Sequence, residues 1–176
     1  MQVREVKNYL LGGHTLAIDP SSGSSGSMPG WALFDRGTCV DSGTIEVARD
    51  GSYFNKQLHS LNTCLREQFS QPDVLVIEHV APIFSGGKHA QFANTHKLHQ
   101  GIGATMAAFN CPMVSIPPMI WKKYAPENYV KTDEHDAIML GVAAISTACL
   151  LEELDIPEIP EWLIYKLEGN QDDKQA

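Results

Sequence analysis

Apolar residues recur along the chain in two different periods, and their succession lays out the elements of an α/β domain. Thr15–Asp19 (TLAID) is a short apolar run that ends in an acid. Trp31–Asp35 (WALFD) and Cys39–Val47 form two further runs, parted by an Arg36-Gly37 turn. Runs this short, bounded by turn residues, predict a meander of three antiparallel strands. Leu58, Leu61, Leu65 and Phe69 then repeat at helical spacing from about Tyr53 to Phe69, and Gln71-Pro72 stops that helix. Val74–Glu78 (VLVIE) is β-branched and continuously apolar up to its acid, which suits a central strand buried on both faces. A second helix, over about Lys88–Phe109, carries Leu98, Ile102, Met106 and Phe109. Met113–Ile116 predicts a fifth strand closed by Pro117-Pro118, Met119–Tyr124 a single helical turn, and Thr132 to about Leu154 a last long helix. The order βββαβαβα predicts a mixed five-stranded sheet, three antiparallel strands then two parallel, with helices on both faces. Residues 1–13 read as an N-terminal extension, 14–154 as the domain and 155–176 as an acidic tail. Trp162, Leu163, Ile164 and Leu167 imply that part of the tail docks.

Length and composition agree with this reading and narrow the function. A chain of 176 residues fits one domain and can bury a sizeable core. The longest apolar run, Ala137–Leu151, is 15 residues, short of the roughly 18–20 that cross a bilayer. The first residues, with Arg4, Glu5 and Lys7, do not read as a signal peptide. Cys39, Cys64, Cys111 and Cys149 form no CxxC pair, so reduced thiols in a cytoplasmic protein, away from membranes, are expected. The net charge of −8 argues at first against a nucleic-acid partner. Its distribution weakens that objection. From Glu152 onward eight acids face two lysines, a net of −6, which leaves −2 for the rest of the chain. Four acids engaged with divalent metal would make that remainder slightly positive.

Four carboxylates stand where chemistry is done. Asp19 and Glu78 each end an apolar strand, where a sheet hands over to a loop. Asp133 and Asp136, at i and i+3, share one face of the last helix near its N-terminus. That face continues through Ala137, Leu140, Ala144, Thr147 and Leu151, so a helix packed on the sheet brings its two acids with it. Three segments then converge four carboxylates, which would repel one another unless paired. An all-oxygen set suits Mg²⁺ or Mn²⁺. Two such ions about 3.5–4 Å apart activate a water and stabilise a leaving oxygen. The bland readings are a turn-initiating Asp19 and a helix start capped by Thr132, with acids favoured by the helix dipole. Glu78 resists a bland reading, because a carboxylate directly after VLVI is costly to bury alone.

The stretches LAIDPSS (16–22), PDVLVIEHV (72–80), HKLHQGIGATMAAFN (96–110) and DEHDAIMLGVAAIS (133–146) carry a family likeness. Over about residues 14–150 the pattern resembles the RuvC-type Holliday junction resolvases of the ribonuclease H-like superfamily, most nearly their short, phage-encoded members. The resemblance implies a ribonuclease H-like nuclease domain. It makes Asp19, Glu78, Asp133 and Asp136 metal-binding catalytic acids, with Mg²⁺ or Mn²⁺, two ions per site. It implies a homodimer that nicks four-way DNA junctions symmetrically, working in the host cytoplasm if phage-encoded. This sequence departs from the family in its acidic tail and in three other places. The loop after Asp19 (PSSGSSGSMPG) is long, HVAPI separates Glu78 from the next aromatic, Phe84, and the lysine-bearing helix before the last helix is reduced to Trp121, Lys122, Lys123 and Lys131. Phe84, Lys88, Lys122, Lys123 and Lys131 are the expected DNA contacts, with Phe84 and Trp121 able to stack on unpaired bases. Rival readings are a ribonuclease H-like nuclease for flaps, forks or RNA–DNA hybrids, and a nucleic-acid-binding module without chemistry.

Other motifs carry less. Pro20–Gly30 has no lysine and is not a P-loop. An actin-like ATPase would need two lobes, and no nucleotide cofactor is expected. His89, His96 and His99 lack a further ligand at zinc spacing. Gly101, Ala104 and Ala108 allow close packing, either in the core or across a dimer interface.

Overall fold

A computed structural model of the chain describes residues 3–20, 28–46, 54–79, 89–153 and 164–165. Its elements in chain order are α1 (Val3–Gly12), β1 (His14–Asp19), β2 (Gly30–Asp35), β3 (Thr38–Thr44), α2 (Phe54–Gln68), β4 (Val74–Glu78), α3 (His89–Ala108), β5 (Met113–Ile116), α4 (Pro118–Trp121), α5 (Asp133–Glu153) and β6 (Ile164–Tyr165). A 3-10 turn, Lys122–Tyr124, continues α4.

The sheet runs β3-β2-β1-β4-β5-β6. β1, β2 and β3 form the antiparallel meander, and β1, β4 and β5 run parallel. The β2–β3 hairpin turns at Arg36 and Gly37, both with positive φ (46° and 78°). Two such residues give the backbone twist that a tight two-residue hairpin requires, and glycine supplies the second at little cost. The five strands implied by periodicity are present in the expected order and sense. The sheet has one more strand among the described residues. Ile164–Tyr165 of the tail pairs antiparallel with Met113 and Val114, covering backbone groups that β5 would otherwise leave open.

Strand alternation sorts the core into two layers. Ala17, Ala32, Phe34, Val74, Val76, Val114 and Ile116 face one way, toward α1, Trp121 and α5. Leu16, Ile18, Trp31, Leu75, Ile77 and Met113 face the other, toward Leu61 and Leu65 of α2 and Ile102 and Ala108 of α3. Every apolar residue of β4 is buried, as a central strand covered on both sides must be. Residues 3–12, set apart in the sequence as an extension, form a helix whose Val6 and Leu10 are buried in the α5-side core. The signal was present as Val3, Val6 and Leu10 at helical spacing. Among the described residues no helix is long and apolar enough to cross a membrane.

Candidate active site

Alternation also aims the acids. In β1 the residues Ala17 and Asp19 share a face, and in β4 so do Val74, Val76 and Glu78; both sets look toward α5. The parallel register pairs Ala17 with Val76 and Ile18 with Ile77. Asp19 and Glu78 are the next residue on each strand, so neighbouring strands about 4.8 Å apart deliver both carboxylates to one end of the sheet. Asp19 is 9% exposed.

The start of α5 completes the site. Its first turn holds Asp133, Glu134 and Asp136, a set that the helix dipole alone would favour. The structure gives each acid a separate task. Capping belongs to Thr132, whose hydroxyl accepts the His135 N–H at 3.1 Å and whose carbonyl accepts the Asp136 N–H at 2.9 Å. Glu134 turns to the β3 edge and accepts a 2.6 Å hydrogen bond from the Ser42 hydroxyl. Asp133 accepts the Met28 N–H at 3.1 Å, tying the end of the glycine- and serine-rich loop to α5. Asp136 points inward beside Ala137 and Leu140. It is 6% exposed, and its Oδ1 has no hydrogen-bond partner.

Electrostatics link β4 and α5. Burial raises the pKa of Glu78 above the usual carboxylate range; Lys122 opposes the rise, Asp136 adds to it, and Lys131 and the Trp121 indole oppose it. Burial likewise raises Asp136, again opposed by Lys122. Two desolvated carboxylates within reach of each other disfavour double ionisation. Among the described residues, no three acids, histidines or cysteines stand close enough as placed to hold one ion. The donor set nevertheless fits a divalent cation. It is all oxygen, it includes a buried carboxylate oxygen with no donor, and at Glu78 and Asp136 burial outweighs the nearby lysines, so both charges are only partly compensated.

The raised pKa values fix the sign of a pH effect. Unfolding returns both groups to ordinary carboxylate values, near about 4. As pH rises from there through the raised folded values, the unfolded chain loses these protons first, so the metal-free fold loses stability. A cation needs the ionised forms, so its stabilisation grows over the same window. We expect the increase in Tm on adding Mg²⁺ in place of EDTA to be larger at pH 7.5 than at pH 5. Asp136→Asn should flatten the fall of the metal-free Tm with pH; an unchanged slope would contradict the assignment.

Lys122 and Lys131 are exposed and lie close enough to Glu78 to act on its charge, and Lys123 is exposed beside them. Trp121 is 1% exposed, so it belongs to the core and is not available to stack on a base. Phe84 and Lys88 lie outside the described residues. His99 is exposed on α3. The small residues of α3 are used within the chain. Gly101 is buried, Ala104 and Ala108 pack in the layer shared with α2, and Asn62 donates to the Ala104 carbonyl at 2.9 Å. Sequence reasoning missed the Glu134–Ser42 link and the proximity of Trp121 to Glu78, since both join segments far apart in the chain.

No family model and no curated protein matches the sequence. Solved structures do match the fold. The chain is similar to Thermus thermophilus RuvC in complex with a Holliday junction substrate, with a TM-score of 0.58 and 12% identity, covering 78% of this chain and 95% of that one. It is also similar to a second Thermus thermophilus RuvC structure, with a TM-score of 0.54 and 11% identity, covering 81% of this chain and 96% of that one. The fold is therefore that of RuvC and the ribonuclease H-like proteins, as the strand order and the resemblance of the sequence implied.

Proposed function

We infer that this chain is a divalent-metal-dependent DNA endonuclease that resolves four-way junctions. The observation that carries the reading is the meeting of β1, β4 and α5 at one end of the sheet, with Asp19, Glu78 and Asp136 facing the same layer and an Asp136 oxygen buried without a donor. Asp19, Glu78, Asp133 and Asp136 would hold Mg²⁺ or Mn²⁺, which when bound activates water and stabilises the leaving oxygen in phosphodiester hydrolysis. The protein's own groups prepare the place. The sheet fixes Asp19 and Glu78 on rigid strand ends, and the Thr132 cap fixes the first turn of α5. Lys122 and Lys131 stand at the rim, where their charges moderate Glu78 and can meet phosphates. Lys123, with Lys88 and Phe84 on the segment after Glu78, would extend the DNA contact.

A four-way junction presents two equivalent strands to cut, so an isologous homodimer matches its symmetry. That proposal rests on the fold likeness and the two-fold substrate, because the small-residue face of α3 is occupied within the chain. The deciding experiment incubates the protein with Mg²⁺ and synthetic four-way, flap, fork, duplex and RNA–DNA hybrid substrates, with sedimentation of the free and bound protein. Paired symmetric nicks in the four-way junction by a dimer are expected. Cleavage confined to flaps or hybrids by a monomer would replace this reading with that of another ribonuclease H-like nuclease. Junction binding with no cleavage in Mg²⁺ or Mn²⁺ would leave a binding module.

A further inference from the structure

Trp121 has an environment that packing alone does not account for. It ends α4, directly after the Pro117-Pro118 corner that closes β5, and it is among the largest fully buried side chains of the molecule. A buried indole ordinarily finds an acceptor for its N–H. Here Nε1 is buried and has no hydrogen-bond partner. The ring lies in the same layer as Val76, Ile116, Ala137 and Leu140, the layer into which Glu78 and Asp136 also project. Its N–H is near enough to Glu78 to favour the charged carboxylate, though short of a closed hydrogen bond. Above the ring sits the Lys122 ammonium, 5.3 Å from the centroid. Lys122 also acts on Glu78 and Asp136. One short helical corner therefore places an unsatisfied donor and a cation beside the same acid.

We propose that Trp121 is a positioning residue for Glu78: its indole N–H donates to the ionised carboxylate and fixes the orientation in which the carboxylate meets metal. The proposal rests on Glu78 belonging to the metal site. Its physical basis is general, since a ligating carboxylate held by a donor loses rotational freedom before the ion arrives. Trp121 touches neither substrate nor ion and acts through Glu78. Lys122 stacks on the ring and holds its charge at the same place, so the corner serves as one unit.

The test begins without metal or DNA. The protein has three tryptophans, hence three indole N–H resonances in a ¹⁵N-labelled sample. The one absent from Trp121→Phe, or the one left after assigning Trp31→Phe and Trp162→Phe should Trp121→Phe fail to fold, belongs to Trp121. Glu78→Gln is expected to move that resonance while leaving the Trp31 resonance in place, and adding Mg²⁺ to the wild type should move it again. Trp121→Phe keeps an aromatic ring and removes the donor. It should retain a cooperative thermal transition while weakening Mn²⁺ binding in calorimetry by about 10–100-fold, the usual effect of losing a partner of a metal ligand. A Trp121 resonance indifferent to Glu78→Gln would overturn the proposal, as would a folded Trp121→Phe that binds Mn²⁺ like the wild type. The nuclease reading fails by a different sign, namely full DNA cleavage by Glu78→Gln.

Discussion

Asp19→Asn, Glu78→Gln and Asp136→Asn are each expected to lower Mg²⁺-dependent cleavage of four-way junctions by at least about 10³-fold, because metal stabilisation of the transition state is worth several kcal/mol and each ~1.4 kcal/mol is a factor of ten. Folding should survive all three changes. Asp136 and Glu78 are desolvated acids whose ionisation disfavours the metal-free fold, so their neutral isosteres should leave the metal-free Tm at pH 7.5 equal to or above the wild-type value. Junction binding should persist if, as proposed, DNA is held mainly by phosphate contacts from cations such as Lys122 and Lys131. This combination separates a metal site from a structural one. A buried carboxylate that served only packing or capping would lower Tm when changed, and activity would fall in proportion to folded protein. Circular dichroism melts beside single-turnover cleavage measure both. Any one of the three variants cutting at near the wild-type rate would remove that residue from the site.

The sequence carried the fold further than the details of the site, for a physical reason in each case. Buried strands must be apolar on both faces, so VLVIE and the run before Asp19 are visible without any contact information. The shared face of Asp133 and Asp136 follows from helical spacing, and the sheet-side face of Asp19 and Glu78 from strand alternation. What could not be read is whatever depends on how segments meet. Thr132 as the cap was legible in the sequence and caps the helix in the structure, but that Glu134 reaches Ser42 is decided by the docking of α5 on β2 and β3. The burial of Trp121 against the acid site follows from the proline corner after β5. The two-residue strand β6 lies too far along the chain from its partner for periodicity to announce it. Helix α1 lies within the stretch read as an extension, although Val3, Val6 and Leu10 recur there at helical spacing.

Gly30→Ala is expected to lower stability strongly, and it would damage the site from a distance. Gly30 opens β2, pairs with Asp19 across the antiparallel ladder and with Thr44 on the other side, and is buried. A Cβ there would fall on the backbone carbonyl of Asp133 and the amide of Glu134, the first residues of α5. Backbone cannot rotate aside as a side chain can, so β2 and α5 must part. Gly141 gives the contrasting case. It also sits at a close approach, but its Cβ would meet the buried Phe34 ring, a side chain and not backbone. Overpacking a core typically costs about 1–3 kcal/mol and occasionally more, and Gly30→Ala should lie at or beyond the upper end, with Gly141→Ala below it. The two substitutions should also differ in function. Displacing the first turn of α5 carries Asp133 and Asp136 away from Asp19 and Glu78, so any folded fraction of Gly30→Ala should bind Mn²⁺ weakly. Gly141→Ala changes packing two turns farther along α5 and should bind Mn²⁺ nearly as the wild type does. Chemical denaturation and calorimetric Mn²⁺ titration of the two variants check both halves. A Gly30→Ala protein as stable as the wild type, with Mn²⁺ affinity intact, would show that the contact between β2 and α5 does not set the position of the acids.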